Sequence, residues 1–353
     1  MSSLDVAEPP LRAPIVRNSL PSWGAGAVCL AAAVAAVALL ALTDVSLAVL
    51  VVGAVVLSGI VIYVWSRVVE GTRTATDRSV TFAVTSAFAL ALVPLVSVLY
   101  TVASRGLDRF DGQFFTESAR NVVGEGGGGA HAILGTLVIT GVATLASVPI
   151  GIMAAVYLRE YGRGRLARAL TFFVDVMTGI PSIVAGLFAY ALFALFLGPG
   201  VRLGVVGAVA LSVLMIPIVV RSTEEMLRIV PDHLREASYA LGVPKWRTVT
   251  KVVLPTALAG IVTGVMVAVA RIVGETAPLL ITTGVFSSIN VNPLDGRMEN
   301  LAVFAYNEYK NPGVPPAPYL ERAWAAALTL IAIVMVLNLV ARLVYRRFGT
   351  DIR

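Results

Sequence analysis

One cysteine, two histidines and three lysines stand in 353 residues, and each scarcity removes a class of chemistry. Cys29 lies in an apolar run and has no partner for an internal disulfide, so cysteine usage says nothing of the redox compartment. His131 and His233 form no His-Glu-x-x-His pair, which argues against a zinc-dependent intramembrane protease. No Gly-x-Ser-x-Gly elbow or cysteine–histidine pair supports nucleophilic catalysis. None of Lys245, Lys251 and Lys310 follows a glycine as a Walker A lysine does. The chain is therefore expected to be no enzyme and to bind no cofactor, and any ATP that drives it must be hydrolysed on another subunit.

Charge is scarce as well. Charged residues make up 14% of the chain, against about a quarter in soluble domains, while 58% are hydrophobic and mean hydropathy is +0.86. The composition points to lipid as the solvent. A net charge of +6 would also suit a nucleic-acid binder, but the arginines cluster at the ends of apolar segments, as the anionic cytoplasmic leaflet favours.

A helix needs about 20 mostly apolar residues to cross roughly 30 Å of hydrocarbon. Eight segments meet that measure, at about 24–42, 46–65, 79–102, 132–158, 169–198, 203–221, 255–283 and 323–345, predicting an all-α multi-pass protein of the plasma or inner membrane. The fifth and seventh exceed the minimum, and Pro181, Gly274 and Pro278 are natural places for them to kink or break. Every second connection is basic: Arg12 and Arg17; Arg67, Arg73 and Arg78; Arg159, Arg163, Arg165 and Arg168; six cations in 221–254; and Arg346, Arg347 and Arg353. The positive-inside rule makes these cytoplasmic, with both termini inside. The intervening connections are short, as at Thr43–Val45, or mixed in charge, as in 103–131. The first apolar core is longer than a signal-peptide h-region and has no small-x-small site after it, so it reads as a retained span.

Two outer segments stand out. The run Gly126–Gly129 lacks the Gly-Lys-Ser/Thr ending of a phosphate-cradling loop and reads as a flexible connector. Segment 284–322, with five prolines, is long enough to predict a structured loop.

The most informative polar stretch is 222–254. Pro231 can start a helix, residues 232–241 place Leu234, Ala237, Ser238 and Leu241 on one face, Gly242 can cap it, and Pro244 can open a second short helix. Periodicity alone divides evenly between an amphipathic hairpin on lipid head groups and a dock for another protein. Within the seventh span, Arg271 and Glu275 are spaced i,i+4 and are predicted to share a helical face and pair. A lone arginine at the bilayer centre costs about 2.5–3.5 kcal/mol, so it marks either a structural ion pair or a charged position on a solute path. An arginine fork suits an oxyanion better than a sugar or a cation. Arg221, at the inner end of span six, reads first as a snorkelling boundary charge.

The stretch Glu236-Ala237-Ser238-x3-Gly242-x9-Val252-x-Leu254-Pro255 resembles the EAA loop of ABC importer permeases. That resemblance implies coupling helices that dock on an ATPase subunit, with Glu236, Ala237 and Gly242 at the contact, passing ATPase motion to spans six and seven as rigid-body movement. Arg271-Ile-Val-Gly-Glu275-Thr-Ala-Pro278-Leu-Leu is similar to the signature of phosphate importer permeases, and its Ala-Pro-Leu-Leu continuation is closer to the PstA type than to the partner PstC type. Pro217-Ile-Val-Val-Arg221-Ser-Thr-Glu224 and Thr178-Gly-Ile-Pro181-Ser182-Ile-Val-Ala-Gly186 resemble the PstA type too.

The likeness runs from about residue 79 to the C-terminus and implies a type I importer permease core at 79–353, with its coupling loop at 222–254. Residues 1–78 then carry a tail and two added helices that the family does not account for. By the same resemblance Arg221, Arg271 and Glu275 belong to the phosphate path, with Glu275 as partner of Arg271. The implied partners are a PstC-type permease, a PstB-type ATPase dimer and a PstS-type extracytoplasmic binding protein. A permease for molybdate, sulfate or a phosphonate remains the alternative. A self-contained secondary transporter or intramembrane enzyme is disfavoured by the 222–254 segment.

Overall fold

Hydrocarbon offers backbone N–H and C=O groups no water to bond, so an apolar segment must satisfy them internally. The chain meets this with helices, and no strand occurs among the residues that the computed structural model describes: 20–21, 23–42 and 46–348. Arg12, Arg17, Arg353 and the Thr43–Val45 connection lie outside them, as do the side chains of Arg346 and Arg347.

The chain divides into two units, residues 1–99 and 100–353. In the first, α1 (Gly24–Leu42) packs on α2 (Leu47–Val69), and α3 (Thr72–Gly106) begins. Glu70 ties the α2–α3 turn by accepting from the Leu20 N–H at 2.6 Å, the Ser66 hydroxyl at 2.7 Å and Arg78 at 2.7 Å. Burial works against its charge, but these donors outweigh it and hold the carboxyl below its ordinary range.

The second unit takes in the end of α3 and then α4 (Gly112–Thr116), α5 (Ala130–Val156), α6 (Arg165–Thr178), α7 (Ser182–Leu197) and α8 (Gly204–Ile229). After these come α9 (Asp232–Ala240), α10 (Lys245–Thr248), α11 (Leu254–Val273), α12 (Ala277–Thr282), α13 (Leu301–Lys310) and α14 (Ala317–Phe348). Single π-helical turns follow α5 at Tyr157–Tyr161 and α10 at Val249–Val253. The centre of this unit is α8, which packs against α5, α11 and α7. Ile139 and Ala143 of α5, Leu211, Met215 and Val219 of α8, and Ala268 and Ile272 of α11 form its core. Helices in lipid gain no hydrophobic drive by associating, so small residues that permit close approach take its place. A Cβ on Gly151 would stand 2.7 Å from Val219, and one on Gly186 would stand 2.6 Å from the Pro278 backbone.

Among the described residues, six helices are long and apolar enough to cross a membrane, or seven if α6 and α7 make one bent span; Gly24–Ala36 is apolar but shorter. The predicted fifth span is broken by 112° at Gly179–Pro181. The seventh ends at Val273 and resumes as α12 after Gly274–Thr276.

Segments 103–131 and 284–322 are built, not slack. In 284–322, Asn300 caps α13 by accepting from the Val303 N–H, and its helix buries Leu301 and Phe304. The glycine run departs from its expectation as a flexible connector. Gly128 lies against the carbonyls of Phe114, Gln113 and Glu117, leaving no room for a side chain. The buried Arg322 donates to the Gly124 and Gly126 carbonyls at 2.9 and 3.0 Å, and to Glu308 at 2.8 Å. At Gly128 glycine is required by the close approach of the 113–117 carbonyls, while Arg322 reaches the loop from nearly two hundred residues away in sequence, where composition gives no hint of it.

Candidate functional site

Two places in the second unit gather the predicted functional residues. The first lies where the breaks in two spans meet. Pro181 cannot continue α6, and α7 restarts with Ser182; the Pro181 carbonyl accepts from the Val184 and Ala185 N–H groups, and the first N–H groups of α7 have no acceptor within the helix. Gly274 ends α11, and α12 restarts at Ala277 with Pro278 in its first turn. Between the breaks and α8 lies a polar cavity of about 60 Å³, lined by Thr178, Ser182, Pro217, Arg271 and Glu275. That is room for a few water molecules.

Arg271 and Glu275 share this cavity but do not pair, contrary to the i,i+4 expectation. The reason is local. The helix stops at Val273, so Glu275 lies beyond it, with its N–H bonded to the Ile272 carbonyl at 3.2 Å and its own carbonyl accepting from Asn300 at 3.3 Å. Arg271 is exposed on this single chain, and its guanidinium makes no hydrogen bond, ion pair or ring contact among the described residues. Five donors thus face a polar space without a protein acceptor. Arg221 does not join them. One turn beyond Pro217 on α8, it is held by Glu224 at 2.9 Å and by Asp175 of α6, a partner that sequence reading missed. It is an anchored cross-link between α6 and α8, not a snorkelling charge.

The second place is the polar segment after α8. Pro231 caps α9, Gly242 ends it with φ +74°, and Pro244 caps α10. The Ser238 and Thr248 hydroxyls bond at 2.8 Å and fasten the two short helices together. Glu236, Ala237 and Gly242 are exposed, with Leu241 and Trp246 beside them at 83% and 58% exposure. The packed face differs from the predicted one: Leu234, Arg235 and Ser238 turn inward, while Ala237 and Leu241 turn out. A buried arginine at position 235 was not foreseen, because beside Glu236 it reads as one more solvated charge.

Two broken helix pairs thus bracket one polar cavity in the second unit. Residues 147–353 match the family described as binding-protein-dependent transport system inner membrane component, and the chain is such a transport permease. More narrowly, it is 49% identical over 275 residues to the phosphate transport system permease protein PstA 1 of Mycobacterium tuberculosis (strain ATCC 25618 / H37Rv), covering 77% of this chain and 88% of that protein. It is 39% identical over 254 residues to the PstA of Yersinia pestis, covering 72% and 84% respectively. The chain belongs to the PstA permeases. A solved bacterial alginate ABC transporter, in complex with an alginate-loaded periplasmic protein, shares the fold with a TM-score of 0.53 at 14% identity, over 78% of this chain and 96% of that one.

Proposed function

We propose that the chain is a membrane-spanning permease subunit of an ATP-driven importer of inorganic phosphate and forms half of the translocation path. The observation that carries this is the pair Arg271 and Glu275, unpaired at one polar cavity between two broken spans, in a chain 49% identical to PstA 1. A guanidinium with no protein acceptor can offer parallel N–H bonds to two oxygens of one oxyanion, where an ammonium would offer only a point charge. The first turn of α7 adds the positive end of a helix dipole on the same side. Arg221, one turn beyond Pro217 on α8, is the second cation of the path, its charge offset by Asp175 and Glu224 in this state.

Import then runs by alternating access. A PstC-type permease chain closes the path over the exposed side of Arg271, a PstS-type protein delivers phosphate, and a PstB-type ATPase dimer supplies ATP hydrolysis. Glu236, Ala237 and Gly242 are the contact on this chain for that ATPase. Counting α1 and treating the α6–α7 and α11–α12 pairs as single spans gives eight crossings, with both termini cytoplasmic and an added helix pair in residues 1–78 ahead of a type I core at 79–353.

The test is ATP-dependent uptake of labelled phosphate into vesicles holding the reconstituted complex, with sulfate and molybdate as competitors. Phosphate uptake that neither competitor reduces is the expected result. Competition by either at equal concentration would replace phosphate as the cargo.

A further inference from the structure

Taking α9 as the surface on which the ATPase acts, we propose that Arg235 is the positioning residue that makes two membrane spans follow that surface. Three parts of the chain meet at its guanidinium, and all five of its donors are used. Nε and Nη2 both bond Glu160 Oε1, at 3.2 and 2.9 Å. Nη2 also bonds the Leu227 carbonyl at 3.0 Å, and Nη1 bonds the Val230 carbonyl at 2.7 Å. The remaining Nη1 donor reaches Asp232 at 3.0 Å. Leu227 and Val230 belong to the end of α8, whose last carbonyls have no intrahelical donor and carry the negative end of its dipole. Glu160 belongs to the π-helical turn that ends α5. Its side chain is 6% exposed and that of Arg235 10%, so water competes little for either charge.

This arrangement differs from the other fastenings of the segment. Ser238 and Thr248 join α9 to α10 and stiffen the segment internally, without touching α5 or α8. Lys245 stands over the Tyr161 ring at 5.0 Å, but both groups are exposed. The chain continues from α10 through the π-helical turn into α11, so that span follows α9 covalently. The α5 span has no covalent link to α9, and α8 is joined to it only through Val230 and Pro231. A planar, fully bonded cation that spans all three converts a shift of α9 into a shift of both helix ends. Breaking a buried ion pair from one side leaves the other charge uncompensated, so the link is all-or-none in character.

The experiment measures phosphate moved per ATP hydrolysed in the reconstituted complex, alongside co-purification of the ATPase. Arg235→Ala is expected to retain the ATPase and its basal hydrolysis and to move at least about tenfold less phosphate per ATP, with Arg235→Lys partly restoring the ratio. Should Arg235→Ala fail to assemble, Glu160→Ala and Glu160→Gln take its place. The first removes the acceptor and should lower the ratio, while the second keeps Oε1 and should lower it less. A purely structural role would reduce uptake and hydrolysis together in step with the amount of complex. An unchanged ratio in the assembled variants overturns the proposal. Failure of the unmutated chain to retain any ATPase would instead overturn the reading of α9 on which it rests.

Discussion

Arg235 and Arg271 are two arginines of one permease with opposite fates. Arg235 sits where α8 ends and α9 begins, with every donor occupied by protein. Arg271 sits at the broken seventh span with none occupied among the described residues. The same side chain is thus fully bonded in one place and left open in the other, which is what the proposed roles of strut and binding group require. What separates them is the supply of acceptors. Near Arg235 a helix C-terminus offers bare carbonyls and a buried carboxylate stands by. Near Arg271 the helix end is used by Gly274 and Glu275 N–H groups, and the neighbouring carboxylate is held away by its own backbone bonds.

The strongest way to break this comparison is Arg271→Ala. If the unpaired guanidinium binds the cargo, the variant loses charge-assisted hydrogen bonds worth about 1.5–3 kcal/mol each, and two of them correspond to a loss of uptake on the order of 100-fold or more. Assembly with the ATPase should be intact, since no protein partner is lost. Normal uptake would remove Arg271 from the path. Next in size, Glu236→Ala acts on the exposed face of α9. Loaded binding protein should then stimulate ATP hydrolysis several-fold less, while phosphate binding within the membrane is unaffected. Stimulation at the unmutated level would mean that the ATPase docks elsewhere.

How much of this was legible in the sequence depended on how local each cause was. The coupling segment was readable because Pro231, Gly242 and Pro244 punctuate the chain themselves; Gly242 adopts the positive φ that its place after α9 requires. The break in the seventh span was readable at Gly274 for the same reason. The pairing of Arg271 with Glu275 was misread because i,i+4 spacing brings side chains together only while the helix continues, and here it stops between them. Arg235 went unseen because its principal partner, Glu160, lies 75 residues earlier and is brought near only by the packing of α5 on α8. Asp175 escaped in the same way, reaching Arg221 across α6 and α8.

A smaller effect sharpens the geometry of the open site. Gly186 lets α7 approach the start of α12, and Gly186→Ala would push its Cβ to 2.6 Å from the Pro278 backbone, which cannot yield as a flexible side chain does. Overpacking of this kind costs about 1–3 kcal/mol, visible as a lowered melting temperature of the complex, and it should also reduce uptake by displacing the two breaks relative to Arg271. A stable variant with full uptake would show that the breaks need not meet so closely.

The smallest effect tests whether charge matters at the strut. Ser238→Ala removes a neutral hydroxyl bond inside the same segment, and Thr248 keeps a long contact of 3.5 Å to the Pro244 carbonyl. The net loss for such a bond is about 1 kcal/mol, which should lower the melting temperature by a few degrees at most. The phosphate moved per ATP should stay within about twofold of the unmutated ratio, because α9 remains tied to α5 and α8 through Arg235. If Ser238→Ala instead uncoupled hydrolysis from uptake as strongly as Arg235→Ala, rigidity within the coupling segment, and not its ionic link to the spans, would be what transmits the motion. The two arginines would then differ only in burial, and the contrast between strut and binding group would fall.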